Sequence, residues 1–199
     1  MNYYGPRPNA ELLRQYGYVT LDHARYDVVE LPWSLVESNL KQLLNLSDRS
    51  WKAVMKHVDE EDLEDGFVIE RECPDVSSEG TFVGPAVLRE MPSDLTNQIK
   101  AVLKATRKVD EKLVPEKRKR DDLVHCLLSR CLDELFRQYA TTIDDDKRRL
   151  AAGGLSARCY MATVVRLGEK LVLQEAVGLL GESKSKDGDR AGPTKKARK

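Results

Sequence analysis

The chain has 199 residues, with 33 Lys+Arg balanced by 33 Asp+Glu, so its formal net charge is zero. That balance excludes a global attraction to nucleic acid or to an anionic membrane surface. No apolar run is long enough to span a bilayer, and the N-terminus lacks a signal-peptide pattern. With 41% hydrophobic residues the chain can bury one main core, and a soluble, intracellular monomer is expected.

The first informative stretch is Tyr4-Gly5-Pro6-Arg7-Pro8-Asn9-Ala10-Glu11-Leu12-Leu13-Arg14-Gln15-Tyr16-Gly17-Tyr18-Val19. Taken alone, Tyr-Gly marks a turn, and Asn9 reads as the N-cap of a helix that follows it. Taken together, Tyr-Gly, then Asn-Ala-Glu-Leu, then Tyr-Gly-aromatic resembles the closing segment of a SET domain of the Rubisco-methyltransferase type. These are protein-lysine methyltransferases with an appended helical domain. The resemblance implies S-adenosyl-L-methionine as cofactor, Tyr4 as the catalytic tyrosine, Tyr16 at the cofactor site, and Arg7 and Tyr18 near the substrate-lysine pocket. An uncharged hydroxyl suits this chemistry, because methyl transfer needs the neutral amine held in line and shielded from water.

The same family carries a Gly-rich cofactor segment and an Asn-His motif ahead of the tyrosine. Only three residues precede Tyr4, and none of His23, His57 and His125 follows an Asn. The resemblance therefore implies a truncated chain or fragment lacking most of the SET core, with weak cofactor binding and no activity on its own. The expected organisation is a SET remnant over residues 1–25, a helical substrate-binding domain over 26–181 and a disordered basic tail over 182–199. The fold class is mainly α.

Residues 26–31 alternate weakly, as in a short strand. Ser34 and Glu37 have capping-box spacing for a helix through Leu44. A second helix begins near Ser47 or Asp48, with Trp51, Val54, Met55 and Val58 on one face. The acidic stretch 59–65 reads as a solvated loop, since no His or convergent partner accompanies it. Residues 66–71 read as a strand, followed by a turn-rich span with Pro74, Ser77, Ser78 and Gly80. After Pro92, Ser93 is placed to cap a helix with Leu95, Ile99, Val102 and Leu103 inward.

Beyond the charged run 116–120, Val124, Leu127, Leu128, Cys131, Leu132 and Leu135 recur at helical spacing. Asp121 and Asp122 suit the first turn of that helix, and His125, off the stripe, is expected at the surface. The four cysteines, Cys73, Cys126, Cys131 and Cys159, form no Cys-x-x-Cys pair; reduced, mostly buried thiols and no metal are expected.

A second resemblance to the same methyltransferases, at the end of their helical domain, lies in Tyr139-Ala140-Thr141-Thr142-Ile143-Asp144-Asp145-Asp146 and in Arg166-Leu167-Gly168-Glu169-Lys170. Met161, Val165, Gly168 and Val172 form one helical stripe. Glycine there costs ~1 kcal/mol of helix propensity, which a close approach would offset. The Arg-x-Gly-Glu-Lys run is expected to pack, with a solvated face as the alternative. The terminal Lys195-Lys196-Ala197-Arg198-Lys199 resembles a nuclear-localisation signal, pointing to the nucleus, with the cytoplasm as alternative.

Within the family, the N-terminal string looks closest to fungal ribosomal-protein lysine methyltransferases, which implies a ribosomal protein as substrate. The competing reading is a non-catalytic helical module that binds a basic protein through acidic surfaces at 59–65 and 144–146. A nucleic-acid partner is disfavoured by the neutral total charge and the lack of aromatics near the basic runs.

Overall fold

In a computed structural model the chain is mainly α. The structure describes residues 5–58, 63–74, 83–114 and 117–188, the side chains of 117, 118 and 182–188 excepted. In chain order the elements are α1 (Asn9–Tyr16), a 3-10 helix (Leu21–Tyr26), β1 (Val29–Pro32), α2 (Trp33–Leu43), α3 (Asp48–Met55), β2 (Gly66–Ile69), α4 (Ser93–Val109), a 3-10 turn (Glu111–Leu113), α5 (Lys117–Arg137), α6 (Ile143–Ala152) and α7 (Ala157–Gly188).

Helix starts depart from the sequence expectation wherever a proline or a tertiary bond takes over. Pro8, in extended conformation, occupies the N-cap of α1, so Asn9 is its first helical residue and not its cap. The Asn9 side chain is committed elsewhere, as shown below. Ser34 and Glu37 form no capping box: α2 begins two residues earlier than that box requires, at Trp33, with Pro32 as N-cap. The reason is that Trp33 N–H donates to the Asp65 carbonyl at 2.8 Å, so the sheet hands directly into the helix. Pro92 likewise precedes α4, and Ser93 makes no cap bond. Ser47 does cap α3, its side chain accepting from Ser50 N–H at 3.2 Å.

The strands pair antiparallel, Val29 opposite Ile69 and Leu31 opposite Phe67, and these four side chains turn inward. Trp33 meets Phe67 edge-on, with ring centroids 6.3 Å apart. Val36 and Leu40 of α2, Trp51 and Val54 of α3, and Leu95, Ile99, Val102 and Leu103 of α4 join one buried cluster. The stripe on α5 from Val124 to Leu135 completes it, as its spacing predicts, together with Val172, Leu173 and Ala176 of α7. Each such side chain contributes about 1.5–3 kcal/mol when fully buried. Of the four thiols only Cys131 is fully buried, whereas Cys159 is exposed. Burial pushes the Cys131 thiol up to about 12, so it packs as a small apolar group.

The acidic turn at 144–146 is not a single solvated surface. Thr142 caps α6 in a reciprocal box with Asp145, accepting from Asp145 N–H at 3.1 Å while Asp145 accepts from Thr142 N–H at 3.1 Å. Thr142→Ala is expected to cost about 1 kcal/mol in urea unfolding; an unchanged midpoint would mean the box is idle. Asp146 is wholly buried and paired with Lys170 of α7 at 2.5 Å. Lys170 also donates to the Thr141 and Thr142 carbonyls at 2.8 and 3.1 Å. The packing expectation for this run therefore holds for Lys170, with only 1% of its surface exposed.

His125 is a correction. It is half-buried, not a free surface residue, and its Nε2 lies 2.6 Å from the Leu180 carbonyl, tying α5 to α7. The backbone of α7 stays helical through Gly188, past the 181/182 boundary expected from composition. Helix propagation adds one bond per residue fixed, so an established helix runs on through a polar stretch. Residues 189–199, with the basic cluster, lie outside the described residues.

Candidate functional site

The N-terminal segment that carries the predicted site residues is fastened to α7 by a buried polar junction. Asn9 backbone N–H donates to Asp27 Oδ1 at 2.8 Å, and Asn9 Nδ2 approaches Asp27 Oδ2 at 3.4 Å. Asn9 Oδ1 in turn accepts from Thr20 N–H at 2.9 Å. Both Asn9 and Asp27 are buried, and Leu12 of α1 is sealed beside them. Gly168 makes room for the carboxylate: a Cβ on that residue would sit 1.9 Å from Asp27 Oδ2 and 2.6 Å from its Cγ. The glycine of the Arg-x-Gly-Glu-Lys run is thus required by close approach, as expected, but the approaching group is an aspartate and not a helix.

A second clamp lies next to the first. Arg71, just beyond β2, donates from Nε to both carboxylate oxygens of Glu175 at 3.0 Å and from Nη1 to the Ala24 carbonyl at 3.1 Å. It joins the 3-10 helix, the sheet and α7 through one planar cation, the geometry for which arginine is suited. Glu169 accepts from the Tyr139 hydroxyl at 2.9 Å. Burial raises the pKa of both partners, that of Tyr139 further with the Glu169 charge beside it.

Burial also raises Asp27 to about 6, against the pull of the Asn9 hydrogen bonds and of Arg71 and with a push from Glu169. A carboxyl raised in the folded state from 3.8 to about 6 stabilises fully below pH 3.8, and that contribution is lost as the pH rises through about 6. The shift corresponds to about 3 kcal/mol. Asp27→Asn keeps an acceptor for Asn9 N–H and removes the titration. Measured by urea unfolding between pH 4 and 7, the wild-type chain should lose about 2 kcal/mol relative to the variant. A constant difference across that range would show that Asp27 titrates as an exposed carboxyl.

Tyr4 lies outside the described residues. Tyr16 ends α1 with 44% of its surface exposed, its ring 6.4 Å from that of Tyr18 at 43°. Tyr18 also lines an open recess of about 510 Å³ with Leu150, Leu155, Tyr160 and Met161 from the α6–α7 region. Arg7 pairs with Glu11, and its carbonyl lies 3.0 Å from His23 Nδ1; it does not line that recess. The structure thus brings Tyr16 and Tyr18 together. For a sulfonium nucleoside cofactor this pair supplies one aromatic wall and no enclosure. Sequence reasoning missed Asp27, Arg71 and Glu175. The available signal was Gly168 on a buried stripe, which demanded an unnamed neighbour.

Residues 87–173 match the family model described as Rubisco LSMT substrate-binding. The matched span runs from the bridge residue Val87 to Leu173 and so includes α4, α5, α6 and half of α7. Among solved structures, the chain is similar to the crystal structure of the SET domain of LSMT bound to lysine and AdoHcy. The TM-score is 0.60 at 18% identity, covering 94% of this chain and 39% of that one. The chain therefore spans about two fifths of that structure's length, and the likeness is one of fold. No curated protein sequence matches it.

Proposed function

We propose that the chain serves S-adenosyl-L-methionine-dependent protein-lysine N-methylation, with a ribosomal protein as substrate and the nucleus as its site of action. The observation that carries this reading is the junction of two independent features. The Tyr-Gly, Asn-Ala-Glu-Leu, Tyr-Gly-Tyr segment is bolted through Asn9 and Asp27 onto the helix that closes the matched substrate-binding segment. The similar solved structure, of an LSMT SET domain with lysine and AdoHcy, supports the same chemistry. In this reading Tyr4 orients the amine, Tyr16 walls the cofactor, and Arg7 and Tyr18 border the lysine channel. The ribosomal substrate rests on the form of the N-terminal string, and nuclear action on the basic cluster at 195–199.

Calorimetric titration with S-adenosylhomocysteine tests the reading. Weak but saturable heat that disappears in Tyr16→Ala, an exposed position whose truncation leaves the core intact, supports it. No heat, or heat indifferent to Tyr16, would refute a cofactor site in this chain and leave the non-catalytic protein-binding module, a reading favoured by the acidic groove described next.

A further inference from the structure

The small sheet has an outer edge that nothing among the described residues covers. Trp33 N–H donates to the Asp65 carbonyl, which fixes 33 and 65 as a hydrogen-bonded pair. With the observed register, Phe67 and Ile69 then turn their backbone groups toward β1, and Gly66, Val68 and Glu70 turn theirs away. Glu72 follows the same parity and exchanges two bonds with Val87, at 3.0 and 3.1 Å, on that outer side. A third strand therefore starts at Val87 and stops after one pair. Leu88 is drawn off toward Glu175, and the chain parts from β2. Between them lies a groove of about 530 Å³, bounded by residues 66–72 on one side and 89–94 on the other. The N–H and C=O groups of Val68 and Glu70 have no partner among the described residues, and the Val68 side chain is 46% exposed.

The groove is charged with one sign. Its two arginines are already engaged, Arg71 by Glu175 and Arg89 by Glu72 at 2.6 Å. Glu64, Glu70, Glu90 and Asp94 line it with no ion-pair partner among the described residues. Open sheet edges bind extended peptides by adding a strand, and charge selects which peptide.

We propose that the outer edge of β2 is a docking site for an extended, lysine- or arginine-rich protein segment, which completes the strand begun at Val87. That the segment belongs to a methylation substrate rests on the function proposed above; the binding itself does not. An anionic partner such as RNA is repelled from this face.

The test is fluorescence anisotropy with the full chain and a labelled alternating lysine–valine octapeptide. Saturable binding is expected, weakened by about tenfold in Glu70→Lys/Glu90→Lys and unaffected in the control Asp122→Lys/Asp133→Lys on α5. N-methylating alternate peptide amides should weaken it by about tenfold as well, because the edge bonds are lost. All four substituted side chains are exposed, and circular dichroism checks their folding. No saturable binding, equal binding by the groove variant, or indifference to N-methylation would each overturn the proposal. None of these outcomes depends on cofactor binding, so a failed titration with S-adenosylhomocysteine leaves this site standing, and the reverse also holds.

Discussion

Gly168→Ala should destabilise the chain by about 2–3 kcal/mol, although helix propensity alone favours alanine there by about 1 kcal/mol. The two effects have opposite signs, so the measurement is decisive. The new methyl would overlap the Asp27 carboxylate, whose oxygens are held by Asn9 and whose surroundings are closed. Either α7 yields locally or Asp27 leaves Asn9, and in the second case α1 comes away with it. Urea unfolding gives the magnitude. Hydrogen exchange at the amides of α1 distinguishes the routes, because detachment of the segment speeds exchange there before the rest of the fold opens. A variant as stable as the wild type would mean that the junction is slack.

Lys170→Met should cost more, about 3–5 kcal/mol, because it leaves Asp146 buried without its cation. Lys170 is also the donor to two carbonyls at the start of α6, which lose a partner in the same step. Adding Asp146→Leu removes the stranded charge and should recover a large part of the loss, since apolar replacement of a buried pair is often tolerated. The paired measurement separates the two contributions: recovery assigns the penalty to the uncompensated carboxylate. If the double variant is as unstable as the single, the carbonyls above carry it instead.

These two residues show what could be read in advance. The apolar stripes of α4 and α5 follow from spacing alone, because burial is a property of helical period, and every predicted inward position on them is buried. The start of α3 near Ser47 or Asp48 was readable because nothing competes with Ser47 for the cap. Ser34 and Ser93 were not, because prolines and a sheet bond set those starts. Lys170 and His125 look like surface residues by type, and only long-range partners pull them inward. For the candidate site, the N-terminal string marked the segment but not its anchor. Asp27 has no local pattern, since its partners Asn9 and Gly168 lie in distant parts of the chain and no periodicity links them.

The packing of α1 against α7 has a consequence for the order in which the protein is made. The ribosome delivers α1 well before its docking surface on α7, which is roughly 150 residues further along the chain, a delay of about 10–30 s at ordinary rates of synthesis. During that interval Asn9 already has Asp27 within reach, but neither has the α7 surface at Gly168 to close against, while the sheet and α2 to α5 can already gather. This helix thus waits long for its seat, and Tyr16 at its end is held in place only once α7 has left the ribosome.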